Sequence, residues 1–423
     1  MSHNLEIILL HCRRGERGGE LQIYFLRLAL ALDLYLTRIM ATQLEYTQIE
    51  LLTLNGPEFR RVSTAPPRPP TENEIPVIDL SAIDGDLEAR KNIASKIRAA
   101  AENTGFFYIE NHGIPEELIQ RALSQAQAFF NQSDEDKELT SSKRSKLSDG
   151  WHGLGTTQIN KTETLGEQLP LNIVLRLIMA DNCPDRKETF SIRYNPKNDP
   201  TISEPEKVLA DEQLSDSEDD SDFPWSGTGH LPGFRHTTIE FYQHRLALAR
   251  KMIRIFALSL DMPEDYFDSV TTNPGADGLY VHYPVTPADM LKENNGNVDV
   301  GIGSHTDIQC ITLLWQDMSG GLQVLSANDE WLDARPIHGT LVVNIGDFLQ
   351  RLSNNRFKST VHRVYNRQST SRYSMPFFLG FNPDSVCKVV PSCIDEAHPA
   401  LYEPISCGQV KTFIVVSFSM AHF

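Results

Sequence analysis

Paired cysteines are missing. The chain has six cysteines in 423 residues (Cys12, Cys183, Cys310, Cys387, Cys393 and Cys407), and none sits in a C-x-x-C pair. That is too few for a disulfide scaffold in a chain of this length, and it points to a reducing, cytoplasmic setting. A long apolar run is missing as well. The best candidate, "LQIYFLRLALALDLYL" at 21–36, is 16 residues long and contains Arg27 and Asp33. A membrane span needs about 20 apolar residues, and no small-residue cleavage site follows, so an amphipathic helix suits this stretch better than a targeting segment. Basic charge is scarce: 39 Lys and Arg stand against 56 Asp and Glu, a net charge of −17. A nucleic-acid binder needs a basic face, which this balance argues against. The acid is unevenly spread, for residues 204–222 alone hold nine Asp or Glu and one Lys. No internal repeat is present. What remains, 40% hydrophobic and 22% charged residues, is an ordinary globular composition with enough chain for a sizeable core.

The first 60 residues carry little pattern, and "STAPPRPPTENEIP" (63–76) reads as an extended proline-rich linker. "IPVIDLSAI" (75–83) reads as a short buried strand. "DLEARKNIASKIRAAAENTG" (86–105) has a helical apolar stripe at Leu87, Ile93, Ile97 and Ala100/Ala101, with Gly105 as its stop. "FFYIENHGI" (106–114) predicts a second strand, and "PEELIQRALSQAQAFFNQ" (115–132) a helix opened by proline. Residues 133–235 read as loop-rich, and a long helix is expected over 236–260. From 278 the texture changes to eight short strand-like runs broken by Gly, Asn, Asp and Pro, from "GLYVHYP" to "SRYSMPFFLGFNP". That spacing predicts an α+β chain whose core is a double-stranded β-helix, or jelly roll, with flanking helices. The expected division is 1–74, an N-terminal extension and linker; 75–235, an N-terminal region; 236–383, a helix plus the jelly roll; and 384–423, a tail.

In "GIGSHTDIQC" a His and an Asp stand one residue apart. Side chains alternate along a strand, so His305 and Asp307 are expected on one face with Thr306 on the other. "STVHRVYN" offers His362, with 54 residues between it and Asp307. Two imidazoles and a carboxylate are the donor set of the facial triads that bind Fe(II) and leave coordination positions open. A lone H-x-D recurs by chance, and a lone His is usually a core or surface residue, so these three positions alone leave both readings open. Further along, "RYSMPFF" places Arg372 and Ser374 two apart on one face. A guanidinium beside a hydroxyl suits a carboxylate held by charge-assisted bonds. Tyr283, in "VHYP", is placed to help. Other polar positions read as structural: His112 as part of a turn, Asn344, Gly346 and Asp347 as a turn before a helix, Cys310 as core, and His282 as facing away from Tyr283. His236, His244 and His338 carry no spacing signal.

H-x-D, about fifty residues, H, then R-x-S resembles the pattern of the 2-oxoglutarate/Fe(II)-dependent dioxygenases, and within them the isopenicillin N synthase-like superfamily. "IPVIDLSAI", "TGFFYIENHGIP", "LPGFRHTTIEFY", "HTDIQCITLLWQD", "GGLQV", "VVNIGDFLQRLSNNRFKSTVHRV" and "RYSMPFFLGFNP" are similar to that family in its order, over about residues 75–383. The resemblance implies Fe(II) at His305, Asp307 and His362, and 2-oxoglutarate at Arg372 and Ser374 with help from Tyr283. It implies O₂ as oxidant, succinate and CO₂ as products, and a small organic molecule as substrate. A monomer is expected, with neither nucleic acid nor membrane as partner. Two rivals stand beside it. An oxidase of the same fold would use no 2-oxoglutarate and would hold a substrate carboxylate at R-x-S. A non-catalytic jelly-roll binding protein would hold no iron.

Three stretches do not resemble the family: residues 1–39, "GEQLPLNIVLRLIMADNCPD" (166–185) and "GQVKTFIVVSFSMAHF" (408–423). Met40 opens a plausible natural start. The expectation is a conceptual translation with an early start and intron sequence read through, which a transcript covering these stretches intact would overturn.

Overall fold

The structure is a computed structural model that describes residues 46–53, 56–145, 149–155, 163–164, 185–205, 223–286, 300–366 and 369–409. The 21–36 run and almost all of the other two unfamiliar stretches lie outside these residues. The chain divides into a small unit, Met1–Tyr46 with Ser63–Ala65, and a large one, Thr47–Val62 with Pro66–Phe423. Of the small unit only Tyr46 and residues 63–65 are described. No helix among the described residues is long and apolar enough to cross a membrane.

The first half contributes strands β1 (Tyr46–Thr53), β2 (Gly56–Ser63), β3 (Val77–Asp79), β4 (Phe106–Glu110), β5 (Gly150–His152), β6 (Glu163–Thr164) and β7 (Glu188–Arg193). Helices α1 (Leu87–Asn103), α2 (Glu116–Phe130) and α3 (Asp134–Glu138) lie among them. The long helix α4 (Phe234–Ser259) follows. Then come β8 (Ala276–Tyr283), β9 (Val300–His305), β10 (Ile311–Gln316), β11 (Leu322–Leu325), β12 (Trp331–Asp333), β13 (Thr340–Ile345), β14 (His362–Tyr365) and β15 (Arg372–Leu379). The short helix α5 (Asp347–Leu352) stands between β13 and β14, and β16 (Val386–Cys387) and β17 (Ile405–Ser406) pair near the end.

All eight strand-like runs expected after residue 278 are strands, and they form the predicted jelly roll. A major sheet of eight strands runs β3-β4-β13-β10-β15-β8-β7-β5, and a minor sheet of four runs β12-β11-β14-β9. Phe106, Tyr108, Val281, Leu322, Val324, Val342 and Val364 form one buried cluster from both sheets. The other face of the major sheet buries Phe107, Ile109, Ile311, Leu313, Phe377 and Leu379 with the apolar stripes of α1, α2 and α4. Period-two alternation sorts β15 in this way: Met375, Phe377 and Leu379 turn to the helices, while Arg372, Ser374, Pro376 and Phe378 line a cavity between the sheets.

Local chemistry explains the element ends. Asp86 caps α1 by accepting from Ala89 N at 2.9 Å. β3 is shorter than the expected strand because the Asp79 carboxylate turns back to accept from Ser81 N at 2.8 Å. Pro376 lies within β15, and the β15–β8 pairing is interrupted at Met375 and Pro376. The buried Arg245 of α4 donates to the Pro376 carbonyl at 3.1 Å and stacks on Phe241 and Phe377. Burial pushes its guanidinium down to about 10.

Two expectations need correction. The 133–235 region supplies β5 and β7, at the edge of the major sheet. β7 escaped the sequence reading because it is buried on both faces and partly polar, so it does not alternate. Its Glu188 is satisfied internally, accepting from Lys137 Nζ and Trp151 Nε1 at 2.9 Å each and pairing with His282 Nδ1 at 2.8 Å. Asn344 is not in a turn but inside β13, buried. The turn before α5 does contain Gly346, where a Cβ would meet Gln309 O at 2.1 Å and Asp307 O at 2.9 Å. Gly346→Ala is expected to destabilise the fold by about 1–3 kcal/mol through overpacking, read as a lowered denaturant midpoint; an unchanged midpoint would show that the backbone of 307–309 yields freely.

Candidate active site

Two strands and one crossover bring the three donors together. His305 closes β9, His362 opens β14, and the two are ladder partners on the minor sheet. The expected strand did not extend to Asp307. β9 ends at His305, and the chain then leaves the minor sheet to enter β10 of the major one. The crossover, rather than strand alternation, turns Asp307 inward. Asp307 Oδ1 lies 3.7 Å from His305 Nε2 and 3.7 Å from His362 Nε2. One ligand atom from each residue falls within 4.8 Å of the others, the one such group among the described residues.

The surrounding bonds aim these atoms. His305 Nδ1 donates to the Gly303 carbonyl at 2.7 Å, and His362 Nδ1 to the Thr360 carbonyl at 3.1 Å. A carbonyl only accepts, so both protons sit on Nδ1 and both Nε2 lone pairs face the centre. Burial, reinforced by His362, pushes His305 down to about 3 and keeps it neutral, as a ligand must be. Asp307 Oδ2 accepts from Thr312 Oγ1 and from Asn344 Nδ2 (2.6 Å), which leaves Oδ1 turned toward the imidazoles. Burial opposes the Asp307 carboxylate, but its pKa is held below the usual range, with Thr312 and Asn344 donating to it. This is an iron-type donor set with its outer partners in place. Asn344→Ala is expected to weaken iron binding by roughly 10–100-fold, since outer-shell partners typically contribute that much. Iron titration of the purified variant reads it, and unchanged affinity would mean that Thr312 alone holds the carboxylate.

Arg372 sits at one end of the cavity, 1% exposed. Its Nε donates to Gly320 O at 2.6 Å and its Nη2 to Gln316 Oε1 at 3.0 Å. Its Nη1 is buried with no hydrogen-bond partner among the described residues. Tyr283 is its ladder partner on β8, and the guanidinium carbon lies 4.7 Å from that ring's centre. The Tyr283 phenol faces Arg372 and Ser374, and burial raises its pKa. A buried guanidinium with a spare N–H is costly unless an anion completes it. The arrangement therefore fits the carboxylate of a bound 2-oxo acid. The cavity, of about 310 Å³, is lined by this end and by the His-Asp-His group together.

His282 faces away as expected, stacked on Tyr373, and Cys310 is core. His112 accepts from Ile114 N within a turn. The sequence reading missed the supporting residues Thr312, Gln316 and Asn344. Their signal was available: each is a polar residue interrupting an apolar strand, "ITLLWQ" or "TLVVNI". It also missed other polar wall residues, among them Gln309, Asp277, Asp347 and Lys187. Burial pushes Asp347 up to about 6 and pulls the Lys187 ammonium down, 3.5 Å from Asp185.

Comparison with known proteins agrees with this geometry. Residues 75–213 match the family described as non-haem dioxygenase in morphine synthesis N-terminal, and residues 277–381 match the 2OG-Fe(II) oxygenase superfamily. A 2-oxoglutarate-Fe(II) type oxidoreductase of Metarhizium rileyi is 39% identical over 366 residues, covering 86% of this chain and 92% of that protein. Another from Emericella nidulans is 33% identical over 336 residues, covering 78% and 86%. A full-length Neurospora crassa protein, solved in complex with alpha-KG and thymine, superposes with a TM-score of 0.66 at 28% identity, over 83% of this chain and 98% of that one. By its sequence relatives, its fold and its His-Asp-His iron site, the chain belongs to the 2-oxoglutarate/Fe(II) oxygenase superfamily and is a non-haem iron oxygenase acting on a small molecule.

Proposed function

We propose that His305, Asp307 and His362 hold the Fe(II), and that Arg372 and Ser374, helped by Tyr283, hold the far carboxylate of 2-oxoglutarate. The observation that carries this is the unpartnered Arg372 Nη1 at one end of the cavity whose wall contains the His-Asp-His group. When bound, iron supplies the O₂ chemistry that couples loss of CO₂ from 2-oxoglutarate, leaving succinate, to oxidation of the substrate. The chain's own contribution is placement and dryness. Backbone carbonyls fix both imidazole tautomers, Thr312 and Asn344 fix the carboxylate, and Phe106 packs edge-on against His362 with ring centroids 5.3 Å apart. Leu279, Val281, Leu314, Leu322 and Val364 give the cavity an apolar wall that excludes water from the buried charges.

The substrate is a compact organic molecule, a reading supported by the thymine bound in the Neurospora crassa relative. The protein acts as a monomer in the cytoplasm, without nucleic-acid or membrane partners. Its net charge of −17 and the unbridged thiols of Cys310, Cys387 and Cys393 support that setting. The division at 74/75, 235/236 and 383/384 is kept as our reading of its organisation. The test is a metabolite screen with purified protein, Fe(II), ascorbate and 2-oxoglutarate, scored by succinate. Iron- and 2-oxoglutarate-dependent succinate, stimulated by a small molecule, is expected; substrate oxidation that proceeds without 2-oxoglutarate would refute the assignment of Arg372.

A further inference from the structure

The cavity has a second polar end. Inward residues of β15 run from Arg372 to Phe378, six residues or roughly 20 Å apart at the strand rise of about 3.3 Å per residue. β8 runs antiparallel to it, so Tyr283 stands opposite Arg372 and Asp277 opposite Phe378. Asp277 and Gln309 line the cavity together, at the end away from the guanidinium. Gln309 Nε2 donates to Asp277 Oδ2 at 3.1 Å. A carboxylate accepts, so this contact decides which end of the amide faces Asp277. The remaining atom, Oε1, is buried and has no hydrogen-bond partner among the described residues, in a side chain 7% exposed. The backbone of Gln309 packs closely against Gly346. An amide oxygen left buried and unpaired is unfavourable, and a ligand donor removes that penalty.

We propose that Gln309, oriented by Asp277, is the specificity-determining residue of the substrate end, and that the substrate presents an N–H or O–H donor to its amide oxygen. The inference rests on the oxygenase reading of the cavity. 2-Oxoglutarate anchored at Arg372 and reaching the His-Asp-His group leaves this end for the other reactant. Phe378, Pro376, Ile308 and Leu279 supply the apolar surface around the polar pair, the usual build of a small-molecule site. The pair selects by asymmetry. A molecule with an N–H or O–H at this point completes Oε1, whereas its N-methyl or O-methyl counterpart leaves the oxygen unpaired and adds bulk.

Matched probes test this. Iron- and 2-oxoglutarate-loaded protein is titrated under argon, by calorimetry, with 2-pyrrolidinone and succinimide against their N-methyl derivatives, and with benzyl alcohol against benzyl methyl ether. The donor-bearing member should bind roughly three- to tenfold tighter, the worth of one neutral hydrogen bond. The lactam and imide arms report an N–H donor, and the alcohol arm an O–H donor. Gln309→Met keeps the volume and removes the acceptor, so the ratio should fall to about one. Asp277→Asn frees the amide to turn, and the ratio should shrink there too. The ratio is the readout because a structural defect weakens both members of a pair alike. Equal binding within every pair, no binding by any donor probe, or a preference that survives both substitutions would overturn the proposal. Succinate formation by the unmutated protein tests the underlying oxygenase reading separately.

Discussion

The His362→Ala variant is expected to hold no iron and to show no measurable turnover. His305 and Asp307 would remain, but two ligands do not define a face of three positions, and the open sites would no longer be fixed. The loss should exceed the roughly 10–100-fold that outer-shell partners contribute, because a donor atom itself is removed. His305→Ala should behave alike, since its Nε2 is equally placed, 3.7 Å from Asp307 Oδ1. Asp307→Glu should be nearly as damaging. One added methylene carries the carboxylate away from Thr312 and Asn344, whose bonds to Oδ2 set its direction. Metal analysis of the purified variants and succinate release are the measurements. Iron content and turnover near the unmutated level in either histidine variant would refute the triad.

Arg372→Lys separates the co-substrate role from a substrate role. Lysine keeps a positive charge but loses the planar fork, and with it the second of two directed N–H groups. It also vacates the contacts that Arg372 makes with Gly320 O and Gln316 Oε1. One charge-assisted bond lost in a buried pocket costs about 1.5–3 kcal/mol, on the order of ten- to a hundredfold in affinity. The KM for 2-oxoglutarate should rise by that factor, while iron affinity measured without 2-oxoglutarate stays near normal. Steady-state kinetics with each reactant varied in turn reads both. If the 2-oxoglutarate KM holds steady and the substrate KM rises instead, the guanidinium serves the substrate, as it would in an oxidase of the same fold.

How much of this the sequence carried depended on the distance over which each feature is encoded. His305-x-Asp307 and Arg372-x-Ser374 are local pairs, and the eight strand runs after 278 are local too, so both were legible. Strand alternation nonetheless does not place the first pair: Asp307 is turned inward by a crossover between sheets, a property of topology that no period reveals. The residues that aim the ligands come from elsewhere in the chain. Asn344 lies 37 residues from the Asp307 it holds, and Gln316 lies 56 from the Arg372 it supports. Their polarity inside apolar strands was visible, but the partner was not. β7 was lost because its buried polar residues, among them Glu188 satisfied by Lys137, Trp151 and His282, erase the alternation that marks a half-buried strand.

Strand β15 behaves as a graduated rule on which two recognition tasks are engraved at opposite ends. On the assignments proposed above, its near mark reads the co-substrate and its far mark the substrate. On that reading, substitution at the far end, at Phe378 or across from it at Asp277, is expected to change what is oxidised while the near end stays untouched. Length is another matter. A one-residue insertion between the two marks turns everything on one side of it to the helices, where Phe377 and Leu379 now lie, because a slip of one exchanges the faces of a strand. On the same reading, new substrates are open to this scaffold by point mutation and closed to it by insertion or deletion within β15.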